Sequence, residues 1–146
     1  MSNDHWKKFE PDRRLVKEFD NWLVVQRARQ VTLGSCVLLL KRPVSGLGEA
    51  EPSELAELAS VAAWFEIRTR ALYEAERFNY VAAMMKDPYL HFHAFPRYSA
   101  ARQAYGHTWE DAAWPKVASF EQVSVEADVT DQMVADLRRS GSESSS

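Results

Sequence analysis

The sequence predicts an α+β fold: one antiparallel sheet of about five strands, a long helix packed on it, and a short helix near the C-terminus. Three observations lead there. Two pairs of strand-like segments, 22–27 with 36–40 and 78–85 with 89–95, are joined by short links, and short links join antiparallel neighbours. One long helical pattern separates the two pairs. The segment Cys36–Leu40 is apolar on both of its faces, which places it in the middle of a covered sheet. A doubly wound parallel sheet needs a helix between successive strands, so the two hairpins exclude it. Five glycines are too few for a small barrel built around a His-x-His strand, and the long helix does not suit one.

Residues 1–11 are polar, with Trp6 and Phe9 as anchors for an arm laid on the body. The spacing of Leu15, Val16 and Phe19 predicts a short helix over 12–20. Trp22 to Arg27 is β-branched and aromatic, hence a strand, and Gly34 permits the turn that leads into Cys36–Leu40. Residues 45–52 form a loop. Ser53 is the expected N-cap of the long helix, which runs to about Arg77 with a stripe of Leu55, Leu58, Ala62, Phe65, Thr69 and Leu72. Glu54, Glu57, Arg68, Arg70 and Glu74 make its wet face. Trp64 and Tyr73 lie off the stripe, as edge packing or as part of a subunit interface. Phe78 to Met85 is a strand whose Met84-Met85 pair fills core space. Ser99 to Phe120 has no clear period, and Trp109 and Trp114 anchor it as an ordered loop layer. Met133, Val134 and Leu137 place a short helix over 130–139, capped by Thr130 or Asp128. One domain therefore spans 1–139, and the serine-rich tail 140–146 is expected to be disordered.

Composition narrows the function. A 146-residue chain that is 46% hydrophobic can bury one core. A net charge of −3 without a basic run argues against nucleic-acid binding by phosphate neutralisation. No apolar stretch is long enough to span a bilayer, and no signal peptide is recognisable. The single cysteine suits a reducing, cytoplasmic setting.

The chemistry concentrates in Asp87 to Tyr98. On a strand, alternate side chains share a face, so Leu90, Phe92 and Ala94 would sit on the core and Tyr89, His91, His93 and Phe95 opposite. Two imidazoles, about 7 Å apart along the backbone, then stand side by side. Pro96 should end the strand. One histidine on a half-buried strand is usually structural; two on one face suggest a site. A metal pair would need further ligands from His107, Cys36, Asp87 or His5, and none stands at a ligand-type spacing. Lys86, at the mouth of the hairpin, is either an exposed turn lysine or a phosphate contact.

The run Tyr89-Leu90-His91-Phe92-His93-Ala94-Phe95-Pro96-Arg97 resembles the signature of the histidine triad (HIT) superfamily, His-φ-His-φ-His-φ-φ. In the branch that hydrolyses dinucleoside polyphosphates, Pro-Arg often follows, and Pro96-Arg97 sets the register used here. The three triad positions fall on Tyr89, His91 and His93, so tyrosine replaces the first histidine. The block Asn21 to Val44, with Gln30-Val31-Thr32-Leu33-Gly34, also resembles the strand–turn–strand that precedes the long helix in these domains.

The resemblance implies nucleotidyl chemistry at an α-phosphate. The substrate would be a dinucleoside polyphosphate or a nucleoside phosphoramidate. His91, the middle member, would be the nucleophile of a covalent nucleotidyl intermediate. His93 would be a hydrogen-bond donor or proton carrier near the leaving group. The resemblance further implies nucleotide or phosphate contacts from Lys86, Gln30 and Arg97, no cofactor in the protein, a divalent cation at most accompanying the nucleotide, and a homodimer that uses the long helix. A phenol at Tyr89 stays neutral and donates one hydrogen bond but carries no proton as imidazole does. Its hydroxyl is expected in the histidine pocket, while its backbone carbonyl can still orient the nucleophile. The alternative is a nucleotide-binding or scaffold protein of the same fold with little or no catalysis, because the triad is incomplete.

Overall fold

The structure is a computed structural model and describes residues 4–139; the tail 140–146 lies outside the described residues. A five-stranded antiparallel sheet forms its centre, in the spatial order β1-β2-β3-β5-β4, with β1 Leu15–Glu18, β2 Trp22–Gln26, β3 Cys36–Leu40, β4 Arg77–Val81 and β5 His91–Arg97. β3, apolar throughout, is the middle strand, buried along its whole length. Its register sets Leu39 opposite His91 and Val37 opposite His93.

The expected helix over 12–20 is different. Only Pro11–Arg14 is helical (α1), and Leu15–Glu18 is the edge strand β1, paired antiparallel with β2. The outer edge of β2 would otherwise leave a row of unpaired backbone groups, and β1 satisfies it. Leu15 and Val16 accordingly pack on opposite faces of the sheet. β4 is also shorter than predicted, ending at Val81, so the connection to β5 takes in residues 82–90 and Met85 is 81% exposed instead of filling core. Pro96 lies inside β5 without breaking it. Leu90 gives its carbonyl to β3, so by alternation the face of Pro96 that lacks an N–H points the same way, beyond Cys36 where pairing with β3 has stopped.

The long helix α2 covers Pro52–Tyr73. It starts two residues before the expected cap: Glu51 is the N-cap, Pro52 follows, and the Glu54 carboxylate takes the Glu51 N–H at 2.8 Å. Glu54 is buried, not wet, because Arg42 grips both its oxygens at 2.9 Å. The helix stops at Glu74, which adopts the left-handed conformation at φ 58°. Its buried stripe runs through Val61, Phe65, Arg68, Thr69 and Tyr73, while Leu55 is exposed. Phe65 is fully enclosed, which contributes about 1.5–3 kcal/mol. The two aromatics set aside for an interface are engaged within the chain: Trp64 meets Phe19 edge-on, and Tyr73 hydrogen-bonds Tyr105 at 2.7 Å.

α2 and the C-terminal helix α3, Ala127–Arg138, cover one side of the sheet. Met133, Val134 and Leu137 face inward as predicted, but the N-cap is Glu126. The stretch after Tyr98 contains a hairpin that no period announced, β6 Arg102–Ala104 with β7 His107–Trp109, turned through Tyr105 and Gly106 at positive φ. Among the described residues no helix is long and apolar enough to cross a membrane.

The opposite side of the sheet presents Leu23, Val25, Val37 and Leu39, and the N-terminal segment lays Trp6 and Phe9 across them. This is also the side of His91 and His93.

Candidate active site

His91 and His93 leave the same face of β5 with ring centroids 5.0 Å apart and planes nearly perpendicular at 85°. Each ring has one nitrogen engaged. Nδ1 of His91 lies 2.7 Å from the carbonyl oxygen of Tyr89, and a carbonyl can only accept, so Nδ1 carries the hydrogen. The neutral form of the ring then has its lone pair on Nε2. The Asp87 carboxylate stands 3.7 Å from the same Nδ1, adding negative charge behind it.

His93 has the opposite arrangement. Its Nδ1 lies 2.8 Å from Nη1 of Arg27, and a guanidinium can only donate. Nδ1 must hold a lone pair, which leaves the hydrogen on Nε2. Burial, the Arg27 charge and the neighbouring His91 together push the His93 pKa down to about 4. The pair is thus one imidazole with an available lone pair beside one with an available N–H.

Arg27 is the residue that the strand pattern of 22–27 left unremarked. It follows β2 directly, and period-two alternation puts Leu23, Val25 and Arg27 on one face, the face of the histidines once β2 and β5 share a sheet. That signal was present but depends on knowing the pairing. The Arg27 guanidinium lies 5.6 and 5.7 Å from the ring centroids of Phe95 and Phe120 and donates from Nε to the Arg29 carbonyl. Burial lowers its own pKa. Phe120 arrives because Val123 bridges to Gln30, its N–H on the Gln30 carbonyl at 2.7 Å, which draws the C-terminal loop across the β2–β3 turn.

A cleft of about 280 Å³ opens beside His93, its charged lining made of Lys8, Arg14, Arg27 and Arg29 against the single carboxylate Glu10. His93 is half-buried and borders this cleft. His91 is only 3% exposed, lies deeper, and is covered by Phe9, whose ring centroid is 6.1 Å away.

The other predicted site residues lie elsewhere. Tyr89 precedes the strand, so alternation does not reach it. It is 37% exposed, its N–H turns back to Asp87, and its ring packs 5.0 Å from His5 of the N-terminal segment. Its hydroxyl does not enter the histidine pocket, whereas its backbone carbonyl does hold His91. Lys86 is exposed in the 82–90 loop and does not line the cleft. Gln30 is fully buried, and its amide closes the turn, accepting the N–H groups of Gly34 and Ser35 at 2.8 Å and donating to the carbonyls of Arg27 and Ser35. Gly34 is needed there: its φ is +87°, and a Cβ would lie 3.1 Å from the Tyr73 ring. Arg97, also buried, forms a two-pronged pair with Asp111 and reaches Asn79 and the Lys116 carbonyl. Gln30 and Arg97 therefore hold loops that shape the site and have no amide or guanidinium face turned to it. Among the described residues, no group of three or more histidine, cysteine, aspartate or glutamate side chains is placed to hold a metal ion.

No protein-family model and no curated protein matches the sequence. Solved structures do match. A hypothetical histidine triad nucleotide-binding protein from Sulfolobus tokodaii is 18% identical, with 89% of this chain and 84% of that one aligned at a TM-score of 0.69. A zinc-bound histidine triad family protein from Mycobacterium smegmatis is 18% identical over 98% of both chains, TM-score 0.65. The diadenosine triphosphate hydrolase of Plasmodium falciparum is 9% identical over 92% of this chain and 80% of that one, TM-score 0.67. These likenesses establish the fold: the chain folds as the histidine triad proteins do.

Proposed function

We propose that this protein cleaves or transfers a nucleoside monophosphate group through a covalent intermediate on His91. The observation that carries this reading is the pair of opposed tautomers. His91, held at Nδ1 by the Tyr89 carbonyl, presents a lone pair on Nε2, and His93, held at Nδ1 by Arg27, presents a hydrogen on Nε2. A neutral imidazole of this kind attacks phosphorus and divides one displacement into two. The N–H of its neighbour stabilises charge that develops on a phosphoryl or leaving oxygen. The cleft beside His93 is cationic, which suits a nucleotide's phosphates, and any divalent cation enters with them. That a nucleotide-binding protein and a diadenosine triphosphate hydrolase share the fold supports the same substrate class. Tyr89 does not undermine the reading, because the part of the first triad position that touches His91 here is backbone.

The test is turnover of diadenosine polyphosphates and of a fluorogenic AMP phosphoramidate by wild type and His91→Ala. Loss to below about 10⁻⁴ of the wild-type rate is expected in a variant that stays folded, the scale on which nucleophile removal acts in covalent enzymes. Turnover retained within a few-fold excludes the covalent route. The burial of His91 under Phe9 favours a second reading, a nucleotide-binding protein without turnover. Calorimetric binding of a nucleotide, with no hydrolysis of any tested, selects it.

A second copy of the chain is the partner proposed for the outer face of α2, where Ile67 is 66% and Leu55 38% exposed. Light scattering at micromolar concentration should give a dimer mass, and a monomer mass refutes it.

A further inference from the structure

Resting on the reading above, we infer that Arg27 is a positioning residue that holds His93 as a neutral hydrogen-bond donor, and that it thereby restricts the site to leaving groups that depart as anions. The geometry bears directly on the proton. Arg27 Nη1 lies 2.8 Å from His93 Nδ1, so that nitrogen cannot be protonated without breaking the contact and placing two cations against each other. The guanidinium is held from two directions: it lies 5.6 and 5.7 Å from the Phe95 and Phe120 rings, which meet each other edge-to-face, and its Nε is tied to the Arg29 carbonyl. Of the charged and titratable groups around His93, Arg27 and His91 both disfavour a second proton on it, and Lys8 stands 3.6 Å from Asp87. Arg29, Arg14 and Lys8 border the cleft with Arg27, and the one carboxylate there, Glu10, is paired with Arg14 at 2.9 Å. His91 stands on the strand beside it. The lowered His93 pKa agrees with this arrangement.

A histidine held this way can donate a hydrogen bond but cannot deliver a proton, because losing the Nε2 hydrogen would leave an imidazolate. The consequence follows from bond bookkeeping. With a phosphate leaving group, the bond from His91 Nε2 to phosphorus forms as the P–O bond breaks. The oxygen departs with the electron pair, and no proton is required. Water then attacks phosphorus, the N–P pair returns to Nε2, and the proton of water passes to the released phosphate or to solvent. With an amine leaving group, the nitrogen must gain a proton before the P–N bond breaks, and His93 cannot supply it. Arg27 thus favours anhydrides over phosphoramidates.

The experiment combines nitrogen-edited NMR of the histidine rings with turnover of diadenosine tetraphosphate against AMP tryptamine phosphoramidate, in wild type, Arg27→Met and Arg27→Lys. In wild type, His93 should carry its hydrogen on Nε2 at pH 7 and not titrate near pH 6.5. The anhydride should be preferred in kcat/KM by about 10²-fold or more, the scale of a missing proton transfer. Arg27→Met should let His93 titrate and reduce that preference by a similar factor; Arg27→Lys, which keeps a donor, should retain most of it. A hydrogen on Nδ1 of His93, an ordinary histidine titration in wild type, or a preference unchanged in folded Arg27→Met overturns the inference. Should Arg27→Met not fold, the wild-type spectrum and preference decide alone. Absence of turnover on both substrates overturns the catalytic reading and the leaving-group preference together, and the ring spectrum separately reports whether Arg27 holds the tautomer.

Discussion

At the C-terminal end of β5, Arg97 meets Asp111 through hydrogen bonds of 2.6 and 2.9 Å; toward the other end, Arg27 meets His93 at 2.8 Å and, among the described residues, no carboxylate. Both guanidiniums lie against aromatic rings, Arg97 near Trp114 and Arg27 beside Phe95 and Phe120. At the Arg97 end, charge is neutralised, the donors are shared among Asp111, Asn79 and a carbonyl, and the result is a fixed loop. At the Arg27 end, the Arg27 guanidinium meets no carboxylate and Nε2 of each imidazole has no hydrogen-bond partner among the described residues. Polar groups that close on one another make structure. Polar groups left open on one side make a place for a ligand.

The comparison can be broken most strongly at the closed end. Arg97→Ala leaves Asp111, 2% exposed at its side chain, as a buried charge without its cation. Stability should fall by about 3–5 kcal/mol, measured by urea unfolding. A loss below 1 kcal/mol would show that this end is not the structural clamp described here.

At the open end, stability should depend on pH through His93. His93 has its pKa lowered to about 4 in the fold, below the ordinary 6.5, so the unfolded chain takes up the proton first. The stabilisation is present above pH 6.5 and is lost as pH falls through 4. Thermal melting from pH 7 to pH 4 should therefore decline more steeply for wild type than for His93→Gln; parallel declines contradict the assigned environment. The smallest effect is expected at Tyr89. Its ring packs on His5 outside the cleft while its carbonyl holds His91, so Tyr89→Phe should change stability by no more than about 0.5 kcal/mol. Turnover should stay within two-fold, and a larger loss would place the hydroxyl in the chemistry.

What was legible in the sequence was whatever local periodicity encodes. Alternation alone put His91 and His93 on one face and Leu90, Phe92 and Ala94 on the other, and the apolar run Cys36–Leu40 announced a central strand. Helical spacing found α2 and the inner face of α3. Local spacing failed where a distant partner decided the outcome. The 12–20 stretch reads as a helix, yet Leu15–Glu18 becomes a strand because β2 offers an open edge. Arg97 and Gln30 carry groups suited to phosphate contact, but Asp111 and the Ser35 backbone claim them first. Arg27 reads as the polar end of a strand. It reaches His93, 66 residues away, only because β3 pairs with both β2 and β5. A single chain specifies by its period which face a side chain takes. Which group it then meets, and so where each proton resides, is settled by packing between segments far apart in sequence, where hydrogen bonds and burial outweigh local preference.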